Sequence, residues 1–257
     1  MGTQIDMDTP IRKVSLLFAM EEEARPVIDA LGLSADSRLH DRDLPFVTYR
    51  GESAGLAISA TVSGHDHRYA VDNIGPVAAT LMAYTTVDHF TPDLVISAGT
   101  AGGFSARSAD IGTVYLSDDR FVFHDRLVPL PGFDESAVGH YPAFNVRRMA
   151  SALQLPTGVV SSGSSLQKHP RDVEVIEQFG AVAKEMEAAA VAWVCMLKNT
   201  PLVAVKSITN LLDEPGTSEE QFLRNLATAS QSLQKQLLRV LQYLPGKTLA
   251  QLSGHES

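Results

Sequence analysis

The chain has 257 residues, 44% of them hydrophobic, enough for one domain with a sizeable core. Its formal charge of −9, with no basic cluster, argues against a nucleic-acid or anionic-membrane partner and leaves a small neutral or cationic ligand as the easier one. The first residues, MGTQIDMDTPIRK, read as neither a secretory nor a myristoylation signal, no run reaches the about 18 apolar residues of a membrane span, and the single cysteine, Cys195, excludes an internal disulfide.

In chain order, KVSLLFAM (13–20) predicts a buried strand and EEEARPVIDAL an acidic-capped helix. FVTYRG and GLAISATVSG predict antiparallel neighbours about the turn at Gly51–Gly55. NIGPVAATLMAYTTVDHF has helical spacing, and PDLVISAGTAGGF reads as a strand entering a glycine-rich turn. DIGTVYLSDDRFVFHD, TGVVSSGSS and PLVAVKSITN add strands, with a buried helix from Ala188 to Leu197 before the last of them. Residues 217–244 form the final helix, with Thr217 and Glu220 spaced as a capping box and Pro245-Gly246 as its stop. Alternating strands and helices predict an α/β class fold: a single-domain three-layer α/β/α arrangement around a central twisted mixed sheet, largely parallel. No composition break or repeat divides the chain, so one domain is expected over residues 12–245, with flexible tails at 1–11 and 246–257.

In such folds ligands collect at the carboxyl ends of strands. Those ends here carry Met20–Glu23, Gly64–Arg68, Thr100–Gly103, Ser161–Ser165 and Ser207–Asn210, rich in small hydroxyls, which suits an uncharged, hydroxyl-rich ligand. Gly99, Gly102 and Gly103 are not spaced as a dinucleotide fingerprint. Glu23 is the member of the glutamate run best placed to turn inward. Glu185 and Glu187 open a buried apolar helix, which is expensive unless something pairs with them; sugar hydroxyls would serve, and so would Lys184 or Lys206. His65, Asp66 and His67 lack metal-ligand spacing, so no metal site is expected.

Taken in order, FAMEEEA, NIGPVAA, PDLVISAGTAGGF, IGTVYLSD, FHDR, SSGSSL, KEMEAAAVA and VKSITNLLDEP resemble the 5′-methylthioadenosine/S-adenosylhomocysteine nucleosidases, within the purine nucleoside phosphorylase superfamily. HDRLVPLPGFD and TSEEQFLRNL look closest to the plant-type branch. The resemblance implies a nucleoside phosphorylase-like fold and hydrolysis of a purine nucleoside without a cofactor. Glu23 corresponds to the carboxylate that activates water. Met20, Thr100 and Gly102 fall around the sugar and purine floor. Leu166 covers the base, and Gln167 follows at the backbone position that reads the purine edge. Met186 and Glu187 match the pair under the ribose, with Glu185 beside them, and Thr209 and Lys206 flank the acid position. A cytoplasmic homodimer is implied, with residues 130–138 reaching the partner's pocket.

One position departs from the pattern. The family's general acid is an aspartate, and Asn210 stands there instead; a second acidic position is Ser164. Asparagine cannot deliver a proton, but its amide suits a 6-oxopurine. Three readings follow: a methylthioadenosine-type nucleosidase, a 6-oxopurine nucleosidase or phosphorylase for which Arg68 is a phosphate candidate, and a non-catalytic binding or storage protein.

Overall fold

The computed structural model describes residues 5–36 and 44–254. In chain order it contains β1 (Lys13–Phe18), α1 (Glu21–Leu31), β2 (Ser34–Ala35), β3 (Val47–Ser53), β4 (Leu56–Val62), β5 (His65–Asp66), β6 (Val71–Asp72), α2 (Pro76–Phe90) and β7 (Leu94–Gly103). There follow β8 (Val114–Phe123), α3 (Phe133–Val138), β9 (Tyr141–Pro142), α4 (Arg147–Leu153), β10 (Thr157–Ser162), α5 (Pro170–Gln178), β11 (Ala183–Glu185), α6 (Ala188–Leu197), β12 (Leu202–Leu211), α7 (Ser218–Tyr243) and α8 (Leu249–Leu252).

The main sheet runs β11-β10-β8-β12-β7-β1-β4-β3-β2 and is mixed: β1, β4, β7 and β12 are joined by parallel pairings, whereas β3–β4 and β8–β12 are antiparallel. Its central strands read as continuous apolar runs because both faces are covered. Val14, Leu16 and Phe18 of β1 pack with α1, α4, α7 and α8, while Leu17 joins α2 and α6 on the opposite face. This is the expected three-layer arrangement. The sheet also does something that strand alternation does not announce: β11 pairs both with β10 and, through Lys184 and Gly102, with β7. The strands β7, β12, β8, β10 and β11 thereby close into a ring, and a β-bulge between Ile208 and Asn210 marks where β12 bends.

Local sequence explains the helix ends. Gly32 closes α1 in the left-handed conformation (φ 63°), and the Thr217 hydroxyl accepts from Glu220 N at 3.2 Å to cap α7. The tails depart from expectation. Residues 1–4 and 255–257 lie outside the described residues, but Leu249 and Leu252 of α8 are buried in the core, Pro10 bridges to Thr248, and Ala250 N donates to Met7 O. Apolar leucines in a capped turn hold that end of the chain, which its length and position concealed. Residues 130–138, expected as a loop, contain the short helix α3.

Candidate active site

A cavity of about 420 Å³ opens at the carboxyl ends of β1, β7, β11 and β12. It collects Met20, Glu23, Thr100, Gly102, Leu166, Glu185, Met186, Glu187, Thr209 and Asn210, all expected from the sequence. Gln167 is exposed and lies outside the lining, as does Ser164; Ser165 lines the cavity instead. The short hairpin β5–β6 and the turn after it contribute His65, Val71, Asp72 and Ile74, and α7 contributes Phe222. His65 falls within the strand end 64–68 singled out from the sequence; the other four were missed, since neither a two-residue strand nor one phenylalanine on an amphipathic helix carries a local signal.

Glu23 enters from the first turn of α1, just past the end of β1. Its Oε1 accepts from Thr100 N (2.7 Å) and Thr100 Oγ1 (2.6 Å), and Oε2 is buried without a hydrogen-bond partner among the described residues. Gly99 makes this approach possible, because a β-carbon there would stand 3.1–3.3 Å from the carboxylate. Burial raises the Glu23 pKa above the ordinary carboxylate value, against the Thr100 bonds and the charge of Lys206.

Glu185 and Glu187 have separate surroundings. Glu185 Oε2 meets Lys206 Nζ at 2.9 Å, its Oε1 accepts from the Ser162 hydroxyl, and both oxygens take the Ala188 N–H at the start of α6 (3.0 Å). Burial opposes its charge, but Lys206, Ser162 and the helix N-terminus outweigh it and hold its pKa low. The Glu185 oxygens are thus engaged by protein, so the ion-pair alternative describes it better than sugar binding does. Glu187 accepts Gly75 N at 2.8 Å through Oε1, and its Oε2 makes no hydrogen bond among the described residues. Burial and the neighbouring Glu185 push the Glu187 pKa up to about 7, against the pull of Lys206. Lys206, buried beneath all three glutamates, keeps its proton because Glu185 and Glu187 offset the cost of burial.

At the other end lie Asn210, Thr209 and Lys184. Asn210 is 2% exposed; its Oδ1 accepts from Thr209 Oγ1 at 2.9 Å. Gly102 makes room for it, since a β-carbon there would stand 3.0 Å from Nδ2. Asp213 is no replacement for the missing acid: its two oxygens accept from Ser105 N and Ala106 N, both at 2.8 Å, and it lies outside the lining. Arg68 is tied to Asp66 (2.6 Å) and also lies outside it. No arginine among the described residues lines the cavity. Among the described residues no group of three or more His, Cys, Asp or Glu is placed to hold a metal ion, and no helix is long and apolar enough to cross a membrane.

A profile of the phosphorylase superfamily matches residues 13–242. A 5′-methylthioadenosine nucleosidase of Arabidopsis thaliana is 37% identical over 251 residues, covering 97% of this chain and 93% of the relative. A 5′-methylthioadenosine/S-adenosylhomocysteine nucleosidase of the same plant is 34% identical over 95% of this chain and 96% of its own. The structure of Arabidopsis thaliana 5′-methylthioadenosine nucleosidase in apo form superposes with a TM-score of 0.92 at 35% identity, covering 95% of this chain and all of that one. With near-complete coverage on both sides, this chain belongs to the phosphorylase superfamily and, within it, to the 5′-methylthioadenosine/S-adenosylhomocysteine nucleosidase family.

Proposed function

We propose that the protein hydrolyses the N-glycosidic bond of a purine nucleoside of the 5′-methylthioadenosine class, S-adenosylhomocysteine included, and releases the base. The observation that carries the reading is the pair Glu23 and Glu187, both at the cavity, each with one oxygen fixed by a backbone N–H and the other without a hydrogen bond among the described residues. Glu187 accepts from the ribose hydroxyls and offsets the positive charge that builds on the sugar as the bond breaks. Glu23 takes a proton from the attacking water, work favoured by a carboxylate whose pKa is raised by burial. Thr100 orients Glu23. Met20, Met186 and Thr209 line the floor, Leu166 covers the base, and Val71, Ile74 and Phe222 give apolar surface for a thioether.

Water is the nucleophile in this reading. Among the described residues the lining holds Glu22, Glu23, Glu185, Glu187 and Asp72 against one ammonium, Lys184, and no arginine, which makes it a poor host for a phosphate dianion. No cofactor is required. Glu23→Gln tests the assignment: base release falls by about 10²–10⁴-fold with the fold unchanged. A variant as active as the parent would remove Glu23 from this role.

Asn210 supports a second reading, in which the base is a 6-oxopurine. Thr209 occupies the amide oxygen, so Nδ2 is the group left to donate to the ligand. A donor satisfies a carbonyl at the six position or an unprotonated ring nitrogen, though it transfers no proton to the base.

We also propose a homodimer. Val77, Leu81 and Tyr84 form one exposed stripe on α2, and Trp193, Met196 and Leu197 are exposed on α6, the helix packed beside it. Adjoining apolar faces of this size on a folded chain mark an interface. Leu130 and Phe133, both exposed, are the residues of segment 130–138 that reach the partner's pocket. A single, buried cysteine, Cys195, and hence no internal disulfide, fits a cytoplasmic protein.

A further inference from the structure

Lys184 performs no step in the scheme above, yet it is 4% exposed and stands at the cavity. A buried ammonium is destabilising unless something pairs with it. Among the described residues no carboxylate lies within 4.0 Å of Lys184; its Nζ donates instead to two successive backbone carbonyls, Ser165 O at 2.6 Å and Leu166 O at 3.2 Å. Asp172, Asp125 and Glu185 act on it at longer range and offset part of the cost of burial. Both carbonyls belong to residues that line the cavity, and Leu166 is the one assigned to cover the base.

Residues 163–169 form neither helix nor strand, so their peptide groups have no ladder to hold them. Side chains take its place. Asp125 Oδ2 accepts from Ser164 N at 2.6 Å, Lys168 Nζ reaches Leu212 O, and the His124 ring stands so close to Gly163 that a β-carbon there would meet Nε2 at 2.2 Å. Lys184 holds the middle of the segment, at its two cavity-lining residues. In a trans peptide the N–H points opposite the C=O, so fixing Ser165 O and Leu166 O also fixes the direction of the Leu166 and Gln167 N–H groups. Neither N–H makes a hydrogen bond among the described residues. The anchor itself is rigid, because Lys184 belongs to β11, which pairs with β10 and, through Lys184, with Gly102 of β7.

We propose that Lys184 is a positioning residue for the purine: its ammonium fixes the peptide planes from Ser165 to Gln167, and with them the placement of Leu166 over the face of the base and of the adjoining backbone along its edge. This deepens the hydrolase reading of the same site and rests on it. Preorganisation is the physical reason. A segment without ladder hydrogen bonds has to be ordered by the incoming base, and that ordering opposes binding; with Lys184 in place the order precedes the ligand. The lysine thus acts on base affinity, which ground state and transition state share, so its loss raises KM more than it lowers kcat. The sugar contacts assigned to Met186 and Glu187 do not pass through it.

The test measures, for the parent, Lys184→Met and Lys184→Arg, the kcat and KM for 5′-methylthioadenosine and, by calorimetry, the Kd of free adenine and of 5-methylthioribose. The expected result for Lys184→Met is a rise of about tenfold or more in KM and in the adenine Kd, a fall in kcat of less than about threefold, and an unchanged Kd for 5-methylthioribose. Lys184→Arg, whose guanidinium can donate to both carbonyls, recovers most of the adenine affinity. Equal losses for adenine and 5-methylthioribose would reduce Lys184 to general support of the fold, and a fall in kcat with adenine binding unchanged would give it a part in the chemistry. Either result overturns the proposal and leaves the hydrolase reading intact. Should Lys184→Met not fold, Lys184→Gln is judged by the same comparison of adenine with 5-methylthioribose. A parent that binds adenine but releases no base from any purine nucleoside would sink the hydrolase reading alone, since the adenine comparison needs no turnover; a parent that binds no adenine would sink both.

Discussion

Lys206 Nζ stands 2.9 Å from Glu185 Oε2, and both side chains are all but sealed from solvent. The pair sits under the cavity floor, where one cation answers to Glu185, Glu187 and Glu23 together. Full ionisation of all three carboxylates would leave two uncompensated negative charges in a poorly hydrated place. The geometry assigns the lysine to Glu185, so Glu187 and Glu23 are the two whose protons are held most tightly.

Removing the cation alone tests that assignment. Lys206→Met strands the Glu185 charge and costs about 3–5 kcal/mol of stability, read by urea unfolding at neutral pH. Lys206→Met with Glu185→Gln recovers much of the loss. A single variant as stable as the parent would show that the pair is not what keeps Glu185 ionised.

Glu187 makes stability depend on pH. Its folded pKa of about 7 lies above the unfolded value near 4.5, so the folded state holds the extra proton between those two values. The contribution of Glu187 to stability is full below pH 4.5, falls as pH rises toward 7, and is lost above it, a change of about 3 kcal/mol. Glu187→Gln, which can keep the bond to Gly75 N, flattens that dependence and is the more stable protein at pH 8. Parallel pH profiles for the two proteins would place the perturbed proton elsewhere.

Gly99→Ala is a mild substitution with a predictable target. Its β-carbon would stand 3.1–3.3 Å from the Glu23 carboxylate, tighter than ordinary contact. A displaced Glu23 loses its alignment with Thr100, so kcat falls by about tenfold or more while KM changes little. A rise in KM alone would mean that the crowding reaches the substrate and not the carboxylate.

Asn210→Asp restores a titratable group at the base end. Base release from 6-aminopurine nucleosides should rise by about 10²–10⁴-fold, the usual contribution of general-acid catalysis, with a smaller gain or a loss on 6-oxopurines. An unchanged 6-aminopurine rate would show that leaving-group protonation does not limit this enzyme.

Most of this site was legible before any coordinate. Strand ends in an α/β chain gather ligand-facing residues, so Glu23, Thr100, Gly102, Thr209 and Asn210 followed from where apolar runs stop. The ambiguity at Glu185 and Glu187 was real in the sequence, because two carboxylates two positions apart look alike until the 2.9 Å contact with Lys206 Nζ separates them. The closure of β11 onto β7 was hidden for a different reason: Lys184 and Gly102 are joined by pairing between distant segments, and no local pattern encodes it. The β5–β6 hairpin and the buried turn α8 were missed because two-residue strands and a four-residue helix fall below any periodic signal.

The central claim is tested most directly by measuring base release from 5′-methylthioadenosine, S-adenosylhomocysteine, methylthioinosine and inosine, each with and without inorganic phosphate. The account predicts release of a purine at the same rate in both conditions, with free sugar as the second product. Strict dependence on phosphate, with a sugar 1-phosphate formed, would contradict it.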